Sequence, residues 1–142
     1  MVSVKVAAPL ACVIGIAVAP PTVFSADSAS AVERGRYLVE EVAKCGDCHT
    51  PFNEKGEPDR SNWLKGATLN FAPIHPVEGW HKVAPDLTSS GRLFQRWGEK
   101  GLVTFMMTGK GPSSHAADPP MPTYHLKQDD AEAVVAYLKS LK

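Results

Sequence analysis

The chain has 142 residues, enough for one domain with a modest core and too few for two. Apolar residues make up 44% of it and charged residues 21%, which excludes a disordered chain. Basic and acidic residues number 15 each, so no polyanion-binding bias is present and nucleic acid is not the expected partner.

The first predicted element is a leader. Lys5 is the one charged side chain before Asp27, and an apolar run from Val6 to Ala19 ends in Pro20-Pro21 and small residues through Ser25-Ala26. A basic start, an apolar middle and a small-residue exit describe a secretory signal peptide over residues 1–25, cut near Ser25, with Val23 and Ser25 fitting the small-side-chain rule for a cut after Ser25. An uncleaved anchor is the competing reading and would bring membrane association with it. The run of about 18 residues is at the short edge for a span, and the prolines break the helix. Leu10-Ala11-Cys12 resembles a lipoprotein site only faintly, since the apolar stretch before it is too short. Export leaves Cys45 and Cys48 in an oxidising compartment, where thiols end up bonded to something.

The domain proper, 26–142, opens with a predicted helix. Ser30 and Glu33 form a capping-box pattern, and Val32, Leu38, Val39 and Val42 supply apolar positions up to about Lys44. Directly after it comes Cys45-Gly46-Asp47-Cys48-His49. Two cysteines three apart, followed at once by histidine, are the attachment signature for c-type haem. Each thiol adds across one haem vinyl group, and His49 then projects under the ring to bind iron. Gly46 lets the backbone lie close to the porphyrin. A Cys45–Cys48 disulfide would have no use for His49. A thioredoxin-type pair would want a strand before it and an uninterrupted helix after it, where this chain has a helical pattern and Thr50-Pro51. A zinc site would need a second ligand pair.

Residues 50–90 show no sustained period and read as ordered loop along the haem edge, with Trp63, Leu64, Leu69, Phe71, Ile74 and Trp80 as apolar anchors. Trp63, Trp80, Arg60, Lys82 and Asn62 are candidates to reach the haem propionates. Two short helical stretches follow, one with Leu93, Phe94 and Trp97, the next with Leu102, Phe105 and Met106, stopped at Gly109. No role is assigned to residues 111–118. The last helix, Gln128 to about Leu141, places Ala131, Val134, Val135, Leu138 and Leu141 on one face. Its acidic start and basic end match the helix dipole.

A second axial ligand must come from Met106, Met107, Met121, His75, His81, His115 or His125. Met121 is the sharpest candidate, because Pro119-Pro120-Met121-Pro122 cannot form helix and holds its backbone stiff just before the final helix. Met106 and Met107 lie inside a helical pattern and read as core filling.

Taken together, Gly35-Arg36-Tyr37-Leu38, Cys45 to Pro51, Ala84-Pro85-Asp86-Leu87-Thr88, Pro119 to Pro122 and Ala133 to Leu138 resemble a class I cytochrome c. More narrowly, they resemble the monohaem units in cytochrome subunits of bacterial periplasmic dehydrogenases. The resemblance implies an all-α, class I cytochrome c fold with N- and C-terminal helices crossing at Gly35 and Tyr137 and the haem wrapped by long loops. It implies His49 and Met121 as axial ligands. It also implies one-electron transfer with a protein partner, a dehydrogenase or a terminal oxidase, in the periplasm. Such proteins often carry two or three haem units per chain, whereas this sequence has one attachment motif. With histidine and methionine both bound, the iron has no open position and the thioether favours the ferrous state. The rival reading is a peroxidase-like haem enzyme or ligand sensor with an open or displaceable sixth position.

Overall fold

The computed structural model describes Met1 and residues 24–142. The expected leader, with Cys12, falls almost entirely outside the described residues. No helix among those described is long and apolar enough to cross a membrane.

The elements are α1 (Phe24–Tyr37), a π-helical turn (Leu38–Val42), α2 (Gly46–His49), a 3-10 turn (Arg60–Asn62), β1 (Ala67–Thr68), β2 (Val83–Ala84), α3 (Arg92–Thr108) and α4 (Gln128–Ser140). Helix thus dominates, and the short antiparallel pair, Ala67 opposite Ala84 and Thr68 opposite Val83, serves as a loop clasp. The fold is that of a class I cytochrome c.

Helix α4 packs mainly on α1 and secondarily on α3. The crossing needs glycine at position 35. A Cβ there would overlap the Ala133 carbonyl and stand 2.8 Å from the Tyr137 Cβ. On α4 the expected apolar face is buried at Ala131, Val134, Val135 and Leu138, Leu141 is half-buried as the residue that caps the helix, and the helix also buries Ala133 and Tyr137. The crossing closes with Arg34 paired to Asp130 at 3.0 Å.

Two expectations about α1 need correction. Ser30 lies within the helix, not at its cap, because the helix already runs from Phe24. Regular α-helix also ends at Tyr37. From there the turn widens, with Ala43 N–H donating to the Leu38 carbonyl at 2.7 Å. The wider turn directs both Leu38 and Val39 into the core.

The two predicted middle helices appear as α3, broken where Gly98 takes φ 63° and ψ 177°. Gly109 ends the second half in the left-handed conformation, its N–H donating to the Phe105 carbonyl at 2.8 Å. In the long loop, Leu64 is wholly buried and Trp63 packs against the core. Phe71 and Ile74 are not anchors. Ile74 is 95% exposed and Phe71 47%, and Phe71 meets Trp80 edge-on at 5.9 Å. Residues 69–82 form a flap whose base is tied by Leu69 N–H to the Lys82 carbonyl, so Phe71 meets Trp80 within the flap while Ile74 faces solvent.

Candidate haem site

The attachment segment is a single helical turn, α2, with Cys45 as its N-cap. Cys45 and Cys48 are not bonded to each other. Trp63 lies over the backbone of this turn, so that a Cβ at Gly46 would come within 2.6 Å of Trp63 Cζ3. Trp63 is itself held in place. Its indole N–H donates to the Tyr137 hydroxyl at 3.1 Å, and that hydroxyl donates to Glu40 Oε1 at 2.7 Å. The Arg60 guanidinium stacks 4.0 Å above the ring and pairs with Glu40 at 3.4 Å.

His49 is 5% exposed, and its Nδ1 lies 2.8 Å from the carbonyl oxygen of Pro85. A carbonyl can only accept, so Nδ1 carries the proton and Nε2 keeps its lone pair. Burial pushes the imidazole pKa below its usual value, opposed by the Pro85 hydrogen bond. The neutral ring is the form that binds a metal. Pro85 is positioned by the clasp just before it and by Leu87 N–H donating to the Leu64 carbonyl at 2.9 Å. Burial also pushes the Cys45 thiol up to about 11 and raises Cys48, so both remain thiols at neutral pH.

Cys45, Cys48, His49 and Met121 line one cavity of about 850 Å³. Leu69, Leu87, Leu102, Phe105 and Val134 contribute to its apolar wall. Met121 enters from the proline-rich segment, where its N–H donates to the Asp118 carbonyl at 3.1 Å. That segment is tied across the cavity mouth by His81 N–H, which donates to the Pro119 carbonyl at 2.8 Å. The two thiols, the imidazole with one free nitrogen, the thioether and the apolar wall fit a covalently bound haem in donor type and in surroundings.

Of the other ligand candidates, Met106, His81 and His115 also line this cavity, whereas Met107, His75 and His125 do not. The segment 111–118, without a role in the sequence, contributes His115, Ala116, Ala117 and Asp118 to the lining. The propionate candidates Trp63, Trp80, Arg60, Lys82 and Asn62 are all absent from it. Arg60 is engaged with Glu40 and Trp63, and Asn62 donates to Asp59 at 2.7 Å. Two cationic side chains that sequence reasoning passed over, Arg92 and Arg96, line the cavity in their place. Their four-residue spacing on one helical stretch was the available signal.

A helical fold closed by crossing terminal helices, around an apolar chamber holding a Cys-x-x-Cys-His turn, defines a class I c-type cytochrome. The comparison with known families agrees: the cytochrome c family model matches residues 32–142, and the chain belongs to that family. Proteins of this family carry haem c covalently and transfer electrons.

Curated relatives refine the likeness. The chain is 34% identical over 114 residues to the fructose dehydrogenase cytochrome subunit of Gluconobacter japonicus, covering 76% of this chain and 21% of that protein. It is 33% identical over 125 residues to a diheme cytochrome c-type of Cereibacter sphaeroides, covering 84% of this chain and 38% of the relative. Against the cytochrome c subunit of alcohol dehydrogenase (quinone) from Gluconobacter oxydans it is 34% identical over 116 residues, with 78% and 24% covered. The chain therefore spans between about a fifth and two fifths of the length of these relatives.

Proposed function

We propose that this chain is an exported, periplasmic one-electron transfer unit holding a single haem c. Cys45 and Cys48 each add S–H across a vinyl C=C, forming a C–S bond with the hydrogen going to the other vinyl carbon, so no oxidant is consumed. His49 Nε2 and Met121 Sδ would be the two protein groups that bind the haem iron. The haem supplies the ferric–ferrous couple. The observation that carries this reading is that Met121, 72 residues beyond His49 in the sequence, shares one largely apolar cavity with Cys45, Cys48 and His49.

The roles of the surrounding groups follow from that assignment. The Pro85 carbonyl fixes the imidazole tautomer and makes the ring a better donor. The apolar wall excludes water, and the thioether favours the ferrous state, which together raise the reduction potential. The partner is a redox protein. The named dehydrogenase subunits among the relatives favour a periplasmic dehydrogenase as electron donor, with a terminal oxidase as the other candidate partner. Export rests on the basic, apolar and small-residue sequence of residues 1–25.

The test is the near-infrared absorption of the ferric holoprotein beside that of Met121→Ala. The expected result is a weak sulfur-to-iron charge-transfer band in the wild type and its loss in the variant. A band that persists in Met121→Ala would transfer the role to Met106. A wild type without the band, which binds carbon monoxide rapidly when reduced, would replace the carrier by the enzyme or sensor reading.

A further inference from the structure

The chain has five arginines, and they divide into two groups. Arg34, Arg36 and Arg60 are paired with Asp130, Glu33 and Glu40. Arg92 and Arg96 have no carboxylate partner among the described residues. These two also line the cavity. They stand four apart in the part of α3 before the Gly98 break, so the guanidiniums rise from one face. Like charges at that spacing repel each other, and a cluster of this kind is stabilised by an anion placed between them. The cavity does contain a carboxylate of its own, Asp118, but the histidines occupy it. His81 Nε2 is 3.4 Å from Asp118 Oδ2, and His115 Nε2 is 3.4 Å from Asp118 Oδ1.

We infer that Arg92 and Arg96 are the carboxylate clamp of this cavity and receive the propionate groups of the haem. The inference rests on the haem reading above and adds the residues that orient the ring's polar edge. A guanidinium presents two parallel N–H donors that match a carboxylate, and both arginines are exposed where they line the chamber, at its solvent side, where the polar edge of a ring seated against the apolar wall would emerge. Attachment through Cys45 and Cys48 fixes one edge of the ring, and the clamp fixes its acidic edge. The clamp holds the propionates ionised, and its two positive charges disfavour the ferric state. The other ionisable side chains facing the cavity, apart from Cys45, Cys48 and His49, are His81, His115 and Asp118. Their mutual pairing leaves the arginines as the available cations.

The experiment is nuclear magnetic resonance of the ferrous holoprotein, read first on the wild type. Nuclear Overhauser contacts are expected from the haem propionate methylene protons to the side-chain methylenes of Arg92 and Arg96. In Arg92→Gln/Arg96→Gln the propionate methylene shifts are expected to titrate at higher pH than in the wild type, and the reduction potential to fall. In Arg92→Lys/Arg96→Lys the potential is expected to stay closer to the wild type, because the charge is kept. Contacts to His81, His115, Trp80 or Lys82 in place of the arginines overturn the clamp, as does an unchanged propionate titration in the glutamine variant. The wild-type contacts decide the question if the glutamine variant does not fold. Failure of the haem reading itself is visible separately, as a pyridine haemochrome spectrum without a covalently bound haem.

Discussion

His49 Nδ1 lies 2.8 Å from the Pro85 carbonyl oxygen, joining the attachment turn to a segment 36 residues further along the chain. The bond ties the imidazole to the β1–β2 clasp, since Pro85 directly follows β2. The same clasp touches His49 a second time, because Gly66 N–H donates to the His49 carbonyl at 2.8 Å. The histidine is therefore held at both its ring and its backbone by one small piece of the long loop.

Gly66→Ala is expected to loosen that hold. Gly66 has φ 85°, and a Cβ would come within 2.9 Å of both the Ala84 carbonyl oxygen and the Asp86 nitrogen, the residues on either side of Pro85. Left-handed strain and the collision together should cost about 1–3 kcal/mol. Urea denaturation of the holoprotein measures the loss. The charge-transfer band should shift as the His49 ring moves, and a variant as stable as wild type with an unchanged band would show that the clasp does not set the ring.

Gly35→Ala tests the helix crossing. The added methyl overlaps the Ala133 carbonyl, and neither backbone can yield without parting α1 from α4. The expected destabilisation is about 1–3 kcal/mol, or more if the helices separate. Urea titration beside the wild type measures the loss, and a Gly35→Ala variant as stable as the wild type would show that the crossing is not the tight contact the geometry describes.

The thiols give a third prediction. Cys45→Ser and Cys48→Ser should each retain haem through the remaining thioether, and the double variant should retain none through acid–solvent extraction. Both cysteines line the same cavity, so either sulfur alone can reach a ring placed there. Denaturing gels stained for haem read the outcome. A single variant that already loses all its haem would mean that one of the two sulfurs carries the attachment.

What the sequence disclosed and what it hid divide along physical lines. The attachment turn is legible because its chemistry demands contiguous residues at fixed spacing, and α4 because its apolar face repeats at helical period. Met121 stood out through its flanking prolines, and it lines the same cavity as Cys45, Cys48 and His49. Long-range polar choices left little local pattern beyond the four-residue spacing of Arg92 and Arg96. Nothing in the sequence says that Arg60 prefers Glu40 and the Trp63 face while Arg92 and Arg96 turn to the cavity. The Pro85 carbonyl was equally invisible, because any residue supplies a carbonyl and its use depends on the clasp. Hydrophobicity alone also misled at Phe71 and Ile74, since an apolar side chain in a flap can pack on its neighbour or face solvent.

Tyr137 is the buried group whose titration should be visible in stability. Its hydroxyl accepts from Trp63 Nε1–H and donates to Glu40 Oε1 at 2.7 Å, joining α4, the loop over the attachment turn and the π-helical turn. Burial first, then the hydrogen bond to Glu40, pushes its pKa from 10.0 up to about 12. Because the folded value is the higher one, the contribution is fully present below about pH 10 and is lost as the pH rises through about 12. Tyr137→Phe leaves the Trp63 N–H and the Glu40 carboxylate without this partner and should cost about 1.5–3 kcal/mol at neutral pH. Above about pH 10 the unfolded wild type releases a phenol proton that its folded form holds up to about pH 12, which favours unfolding of the wild type alone, so the gap between the two proteins should narrow. Urea titrations at neutral and alkaline pH measure the gap, and phenolate absorbance locates the ionisation. A gap that stays constant through this range, with a phenolate forming at the ordinary tyrosine value, would show that the Glu40–Tyr137–Trp63 chain does not hold the proton in the folded protein.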